Sequence, residues 1–198
     1  AALFEVMGER PVTMDGTRYE MSSPFLVVAT QNPIEQEGTY RLPEAQLDRF
    51  LFKIEVKYPN LQQEIEIIRK QHESKSENKT ESIRTVITGE QLVRFQTLVK
   101  EVLVEPHLIE YIAKVIIATR ENQFLYLGAS PRASLALLSA SKAFAALRGR
   151  DFVTPEDIKE ASLAVLRHRV VVSPEREMEG LTADEIIQQI LEGIEIPR

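Results

Sequence analysis

The sequence predicts an α/β segment followed by an all-helical domain, and three observations lead to this prediction. The hydrophobic period changes near Pro59, from short β-prone runs before it to helical spacing after it. Asp15-Gly16 lies between two short β-prone segments, which is a strong signal for a two-residue hairpin turn. Capping motifs, each led by a threonine, precede the apolar helical stripes at Thr88, Thr154 and Thr182. We therefore predict two domains, residues 1–59 and residues 60–198.

The first domain follows the order of an α/β sheet. Residues 25–30 form a continuous β-prone run, as expected for a strand covered on both faces. A loop follows, and residues 43–50 then predict a short helix that begins with a proline. Residues 51–56 predict a second strand. Strand, loop, short helix and strand in succession are typical of an α/β fold.

The second domain is predicted to be a helical bundle. Residues 61–72 have helical spacing, and residues 74–82 form a polar run that predicts a solvated loop. Residues 135–147 are apolar nearly all round and rich in alanine. A helix of that kind belongs at the centre of a bundle.

Composition excludes several classes of protein. The 198 residues include 43% hydrophobic and 27% charged residues, which is ordinary for a globular protein. There is no cysteine, so disulfides and thiolate metal sites are excluded, and a reducing cytoplasm is the expected location. No apolar run is long enough to span a membrane. The net charge of −6 argues against a protein that coats nucleic acid.

The beginning of the sequence predicts a fragment of a longer protein. Residues 1–7 have helical spacing, with apolar side chains on one side. No capping residue precedes them, as it would at the natural start of a helix.

Arg132 is the first candidate functional residue. Ser130, Pro131 and Arg132 predict the N-cap and the first two positions of a helix. A cation there lies at the positive end of the helix dipole, which costs about 0.3–1 kcal/mol. A bound phosphate would reverse that cost, since helix N-termini and arginine side chains both bind phosphate. The alternative is a surface arginine that meets a nearby carboxylate.

Asn32 is the second candidate. It follows the predicted buried strand at its carboxyl end, where open α/β sheets bind ligands. Its amide could donate to a phosphate oxygen or orient a water molecule. The alternative is that Asn32-Pro33 only initiates a turn.

Arg49 is the third candidate. It lies between the predicted short helix and the predicted second strand, next to Asp48. It could pair with Asp48 as a structural ion pair, or it could project across a subunit boundary. The residue pattern alone favours the structural pair.

Other polar residues carry weaker signals. The acidic side chains of the loop near Asn32 have no spacing that fixes two of them together, and they predict solvated charges. The three histidines are far apart, so no metal site is expected. The two basic clusters, residues 148–150 and residues 167–169, predict a solvated or interface surface. The sequence contains no Gly-x-x-x-x-Gly-Lys-Ser/Thr motif and no apolar strand ending in Asp-Glu.

Several stretches, in this order, resemble the MoxR branch of AAA+ ATPases, which is related to the magnesium-chelatase ATPase subunit. The resemblance spans essentially the whole chain, and its central blocks are highly specific. The stretches that carry it are LFEVMGERPVT (3–13), ATQNPIEQEGTY (29–40), LPEAQLDRF (42–50), GASPRAS (128–134) and GRDFVTPEDI (149–158).

The resemblance implies a role for each candidate. Asn32 matches the sensor-1 residue, which positions the attacking water near the γ-phosphate of ATP. Arg49 matches the arginine finger that one subunit offers to the nucleotide of its neighbour. Arg132 matches the sensor-2 arginine at the start of a lid helix. The resemblance also implies that residues 1–59 are the rear part of the AAA+ core, with the hairpin and sensor strands, and that residues 60–198 are an α-helical lid.

The function that the resemblance implies is ATP hydrolysis by a ring, expected to be hexameric, that remodels or matures partner proteins. Those partners are expected to carry von Willebrand A-type domains and to belong to metal- or cofactor-containing complexes. The cofactors are ATP and Mg²⁺, whose ligands, with both Walker motifs, are expected upstream of this chain. The chain alone is therefore expected to be inactive. Two alternatives stay open: an inert module for oligomerisation and partner binding, and a DNA-handling AAA+ protein, against which the acidic charge counts.

Overall fold

A computed structural model describes residues 11–14, 16–31, 42–73 and 83–196 of the chain. The hairpin comes first, a short helix follows, and longer helices with a second small sheet complete the described part. In chain order the elements are β1 (Pro11–Met14), β2 (Thr17–Glu20), α1 (Glu44–Leu47), α2 (Leu61–Glu73), α3 (Gly89–Glu101), α4 (Pro106–Glu121), β3 (Leu125–Leu127), α5 (Pro131–Leu147), α6 (Pro155–Leu166), β4 (Val171–Val172), α7 (Pro174–Met178) and α8 (Ala183–Gly193).

The predicted hairpin is confirmed. Strands β1 and β2 are antiparallel, with Pro11 opposite Glu20 and Met14 opposite Thr17. Gly16 has a φ of 77°, which a glycine adopts without the steric cost that a Cβ would bring. Asp15, the other predicted turn residue, lies outside the described residues.

The fold class is confirmed as an α/β remnant followed by a helical domain, but the two predicted strands inside the remnant are a correction. Residues 25–30 and residues 51–56 do not form strands in the structure. A β-prone run becomes a strand only where a neighbouring segment completes the ladder of backbone hydrogen bonds. Within the described residues, neither run has such a neighbour. The sensor strands of the prediction are therefore not formed within this part of the chain.

The hydrophobic core lies in the helical domain. Helix α5 packs against α3, α4 and α6, and α8 packs against α4 and α6. The small side chains along α5 allow these close approaches. Its buried members are Ala133, Ala136, Leu137, Ala140, Ser141 and Ala145. The central position predicted for residues 135–147 is thus confirmed, although Leu135 and Leu147 at its two ends are exposed.

The predicted caps begin helices α3, α6 and α8. The Gln91 backbone N–H donates to the Thr88 hydroxyl at 3.2 Å, and the Gln91 side chain accepts from the Thr88 backbone at 2.8 Å. Thr182 and Glu185 form the same reciprocal pair. Such caps satisfy the backbone donors that a helix leaves unpaired at its start.

The second small sheet was not predicted. Strand β3 pairs with β4 in antiparallel orientation, and Leu125 lies opposite Val172. The sequence carried one signal, the run of three valines at residues 170–172, which favours a strand. The helical spacing on both sides of that run concealed it.

Candidate functional site

The structure describes two of the three predicted site residues. Arg49 lies in the turn after α1, and its side chain is exposed. Arg132 occupies the second position of α5, with Ser130 as the N-cap and Pro131 at the first position, as predicted. Asn32 lies outside the described residues.

One carboxylate connects the turn that carries Arg49 to the helix that carries Arg132. Asp48 Oδ2 accepts from the Ser130 hydroxyl at 2.9 Å and from Arg132 Nη1 at 3.2 Å. Asp48 Oδ1 accepts from Arg169 Nε at 2.9 Å. Arg132 thus meets a carboxylate, as the alternative interpretation allowed, and this carboxylate belongs to the residue that precedes Arg49.

Arg169 was not among the predicted site residues. Its side chain is only 2% exposed. Besides Asp48 Oδ1, it donates to the backbone carbonyls of Asp48 (3.0 Å), Phe50 and Leu51 (3.1 Å), all in the turn around Arg49. It also donates to the carbonyl of Val165 near the end of α6. All five N–H groups of the guanidinium have acceptors, as a buried arginine requires.

Of the two residues before Arg169, His168 contacts the same turn, and Arg167 binds helix α8. The Arg167 guanidinium binds both carboxylate oxygens of Asp184, at 3.0 and 2.7 Å. His168 Nε2 lies 3.0 Å from the carbonyl oxygen of Phe50. Residues 167–169, predicted as a solvated or interface surface, therefore form an interface within the chain. We call residues 48–51 the finger turn and residues 167–169 the basic loop.

The environment of the basic loop lowers the pKa of two of its residues. Burial lowers the pKa of His168 from 6.5 to about 4, and the nearby cations Arg169 and Lys53 add to the effect. Burial also lowers the pKa of Arg169, against the opposing effect of Asp48. Because Nε2 donates to a carbonyl, Nδ1 is the unprotonated nitrogen, and it has no hydrogen-bond partner among the described residues. Protonation of Nδ1 would bury an unpaired charge.

We predict that acid weakens this interface through His168. The histidine is neutral when folded and protonates near pH 6.5 when unfolded, so its stabilising effect is complete above pH 6.5. That effect is lost as the pH falls from 6.5 towards 4. We expect the free energy of unfolding of the full-length protein, measured in urea, to fall by about 2 kcal/mol between pH 7 and pH 5.

The matched variants are His168→Gln and His107→Gln. Glutamine at 168 keeps a donor for the Phe50 carbonyl but does not titrate, so the loss between pH 7 and pH 5 should shrink. His107 is exposed on α4, and its replacement should leave the loss unchanged. An equal pH dependence in His168→Gln and the unaltered protein would contradict the assignment.

The loop that precedes Arg132 is held in place by close contact with helix α4. A Cβ at Gly128 would lie 2.6 Å from the Cα of Arg120 and from the Thr119 carbonyl oxygen, so only glycine fits there. The Ala129 N–H donates to the Thr119 hydroxyl at 3.0 Å, and Arg120 Nε donates to the Ala129 carbonyl at 2.8 Å. These contacts with α4 fix the direction in which α5 begins.

The geometry at Arg132 suits an anionic ligand. Its side chain is 52% exposed and lies at the N-terminus of a 17-residue helix. The contact with Asp48 uses one guanidinium nitrogen, so the remaining donors face other groups or water. A phosphate would meet both an arginine and a favourable helix dipole.

The other basic cluster stabilises the helical domain. The Asp157 carboxylate is completely buried, and it accepts from Arg148 Nη1 at 2.6 Å and from Arg150 Nη2 at 2.6 Å. Burial by itself would raise the pKa of Asp157, but hydrogen bonds from Arg150, the Thr154 backbone and Arg148 hold it below its usual value. Residues 148–150 thus form a structural ion cluster rather than a free basic surface.

Two further findings concern the described residues only. No group of three or more histidine, aspartate or glutamate side chains among them is arranged to hold a metal ion. None of the helices described is long and apolar enough to cross a membrane.

Comparison with known proteins identifies the family. Residues 1–52 match the ATPase family associated with various cellular activities (AAA), and residues 117–190 match the AAA lid domain. The chain is 41% identical, over its whole length, to the protein YeaC of Bacillus subtilis and to the chaperone MoxR1 of Mycobacterium tuberculosis. The chain belongs to the MoxR family of AAA+ proteins. It spans 61% of the length of YeaC and 54% of MoxR1.

A solved structure supports the AAA+ fold of the chain. The crystal structure of a candidate ATPase from Cytophaga hutchinsonii superposes with a TM-score of 0.90 at 37% identity. The match covers 99% of this chain and 61% of that protein. The AAA family match thus lies in the α/β remnant, and the helices include the AAA lid domain.

Proposed function

We propose that the MoxR-type protein carrying this chain hydrolyses ATP and uses the energy to remodel or mature partner proteins. The observation that carries the proposal is the exposed Arg132 at the N-terminus of α5, joined through Asp48 to the turn of Arg49. Both arginines match the positions that the family uses to contact nucleotide. Membership of the AAA family, and similarity to a protein named as a chaperone, agree with this proposal.

Each proposed role has a physical basis. Arg132 contacts a phosphate of ATP, where its charge and the dipole of α5 act together. Arg49 reaches the nucleotide of a neighbouring subunit and stabilises the charge that develops on the transferred phosphoryl group. Asn32 orients the attacking water. The ligands of Mg²⁺ and the phosphate-binding loop are assigned to parts of the protein outside this chain.

The proposed assembly and partners follow from the same family. An arginine finger in trans requires a neighbouring subunit, and the assembly we propose is a ring of six. Partners with von Willebrand A-type domains, in complexes that contain metals or cofactors, are proposed on the resemblance alone. The domain boundary near residue 59 also stays a prediction.

We predict that Arg132→Ala weakens nucleotide binding. A charge-assisted contact to phosphate contributes about 1.5–3 kcal/mol, so the Kd for ATP should rise about 10- to 100-fold. The measurement is ATP binding and phosphate release by the full-length protein. The matched control is Arg176→Ala, which removes a lid arginine that contacts Glu179 and the ring of Phe124.

Two outcomes would overturn the proposal. If the unaltered full-length protein releases no phosphate from ATP, the ATPase assignment is wrong, and an inert binding module becomes the better description. If Arg132→Ala binds ATP as tightly as Arg176→Ala does, Arg132 does not contact the nucleotide.

A further inference from the structure

We infer that Arg169 is a positioning residue for Arg49, and that Asp48 couples Arg49 to Arg132 within one subunit. The inference rests on the proposed function, because it assigns to the lid a second task beyond contact with nucleotide. The lid contributes Arg132 to one nucleotide, and through Arg169 it also sets the position of the finger offered to another.

The contacts of Arg169 explain how one side chain can position the finger turn. It donates to the carbonyls of Asp48, Phe50 and Leu51, and Arg49 lies between the first two of these. A bond to Val165 attaches the same guanidinium to α6. The planar guanidinium group has five N–H donors and can make all of these hydrogen bonds at once, whereas the ammonium group of a lysine cannot. The backbone on both sides of Arg49 is therefore fixed to the lid.

The neighbouring contacts reinforce the attachment. His168 binds the Phe50 carbonyl, and the Lys53 N–H donates to the carbonyl of Ala164 in α6 at 2.9 Å. Arg167 is held in turn by Asp184 of α8. The finger turn is thus attached to the end of α6, and α6 packs on α5 and α8. A displacement of the lid would carry Arg49 with it.

The Asp48 carboxylate supplies the coupling. Its Oδ1 atom binds Arg169, while its Oδ2 atom binds the Ser130 hydroxyl and Arg132. The side chain of Asp48 is 17% exposed and that of Arg132 is 52% exposed, whereas Arg169 is 2% exposed. Of the two arginine contacts of Asp48, a ligand from solvent can therefore reach and replace only the one with Arg132. A phosphate that engages Arg132 competes with Asp48 for it. Nucleotide binding therefore releases one of the bonds that join the finger turn to α5.

The first experiment tests the positioning role. In the full-length protein, Arg169→Lys keeps the charge opposite Asp48 but loses the fork, so kcat for ATP should fall about 10- to 100-fold with little change in KM. In an Arg49→Ala background the same substitution should cause no further loss, because the residue it positions is absent. Losses that multiply in the double variant would overturn the positioning role.

The second experiment tests the coupling with ADP as the probe, and it requires no turnover. Asp48→Asn removes the charge that competes for Arg132, so the Kd for ADP should fall about 2- to 5-fold. The matched control is Asp184→Asn, which disturbs a neighbouring arginine pair without touching Arg132. Unchanged or weaker ADP binding in Asp48→Asn would overturn the coupling. If Arg169→Lys does not fold, Asp48→Asn takes its place in the double-variant test.

The failures of the two proposals are distinguishable. A full-length protein that binds no ADP and releases no phosphate contradicts the proposed function and, with it, this inference. A protein that hydrolyses ATP normally when Arg169 is lysine contradicts only the positioning role of Arg169.

Discussion

Replacement of Arg49 by alanine in the full-length protein is expected to lower ATP turnover by about 10³-fold or more, with ATP affinity nearly unchanged. In its proposed role Arg49 acts on charge that develops in the transition state, so its loss should lower kcat rather than binding. Arg49 is exposed, and the turn that carries it is held by the buried Arg169, which agrees with a role at a subunit boundary. Phosphate release at saturating ATP is the measurement, and Arg176→Ala is the control.

Mixing two inactive variants tests whether Arg49 acts on a neighbour. Arg49→Ala subunits retain Asn32, and Asn32→Ala subunits retain Arg49. In rings mixed in equal amounts, about one interface in four combines an intact Asn32 with an intact Arg49 from the adjacent subunit, so activity should partly return. No recovery in mixed rings would show that Arg49 does not act across a subunit boundary.

Replacement of Asp157 by alanine is expected to destabilise the helical domain by about 3 kcal/mol. The change leaves Arg148 and Arg150 without their shared carboxylate, and it removes the acceptor for the Thr154 N–H at the start of α6. The free energy of unfolding by urea near pH 7 is the measurement. The loss is large because this carboxylate is completely buried.

Glu160→Ala is the matched control for Asp157→Ala. Glu160 also binds Arg148, but it is half-exposed, and exposed ion pairs contribute little to stability. Equal losses in the two variants would contradict the view that burial makes Asp157 important. In Asp157→Ala, helix α6 should also fray first at its N-terminus, because the capping pair between Thr154 and Asp157 is lost.

Local signals in the sequence predicted much of the fold. The hairpin, the caps at Thr88 and Thr182, and the start of α5 at Ser130 each depend on residues only a few positions apart. Such features follow from backbone sterics and short-range hydrogen bonds, which a sequence shows directly. The strands predicted at residues 25–30 and 51–56 were wrong because strand formation depends on a distant partner.

In the candidate site, too, one part was predicted from the sequence and another part was not. Arg49 and Arg132 were nominated from their own neighbourhoods and from family resemblance, and their roles stay predictions, as does that of Asn32. The basic loop was visible as a cluster of charges, yet nothing in its spacing indicated that Arg169 would be buried. Its true partners lie about 120 positions earlier in the chain.

By itself, the sequence determined the family, the helical caps and hairpin, and the identity of the two candidate arginines. Only the tertiary structure decided that Asp48 lies between Arg132 and Arg169, and that Arg169 holds the turn of Arg49. The physical reason is that a charged side chain holds two segments together only when folding buries it and brings its partners into contact with it. Those partners are close in space but far apart in the chain, so no local pattern records them.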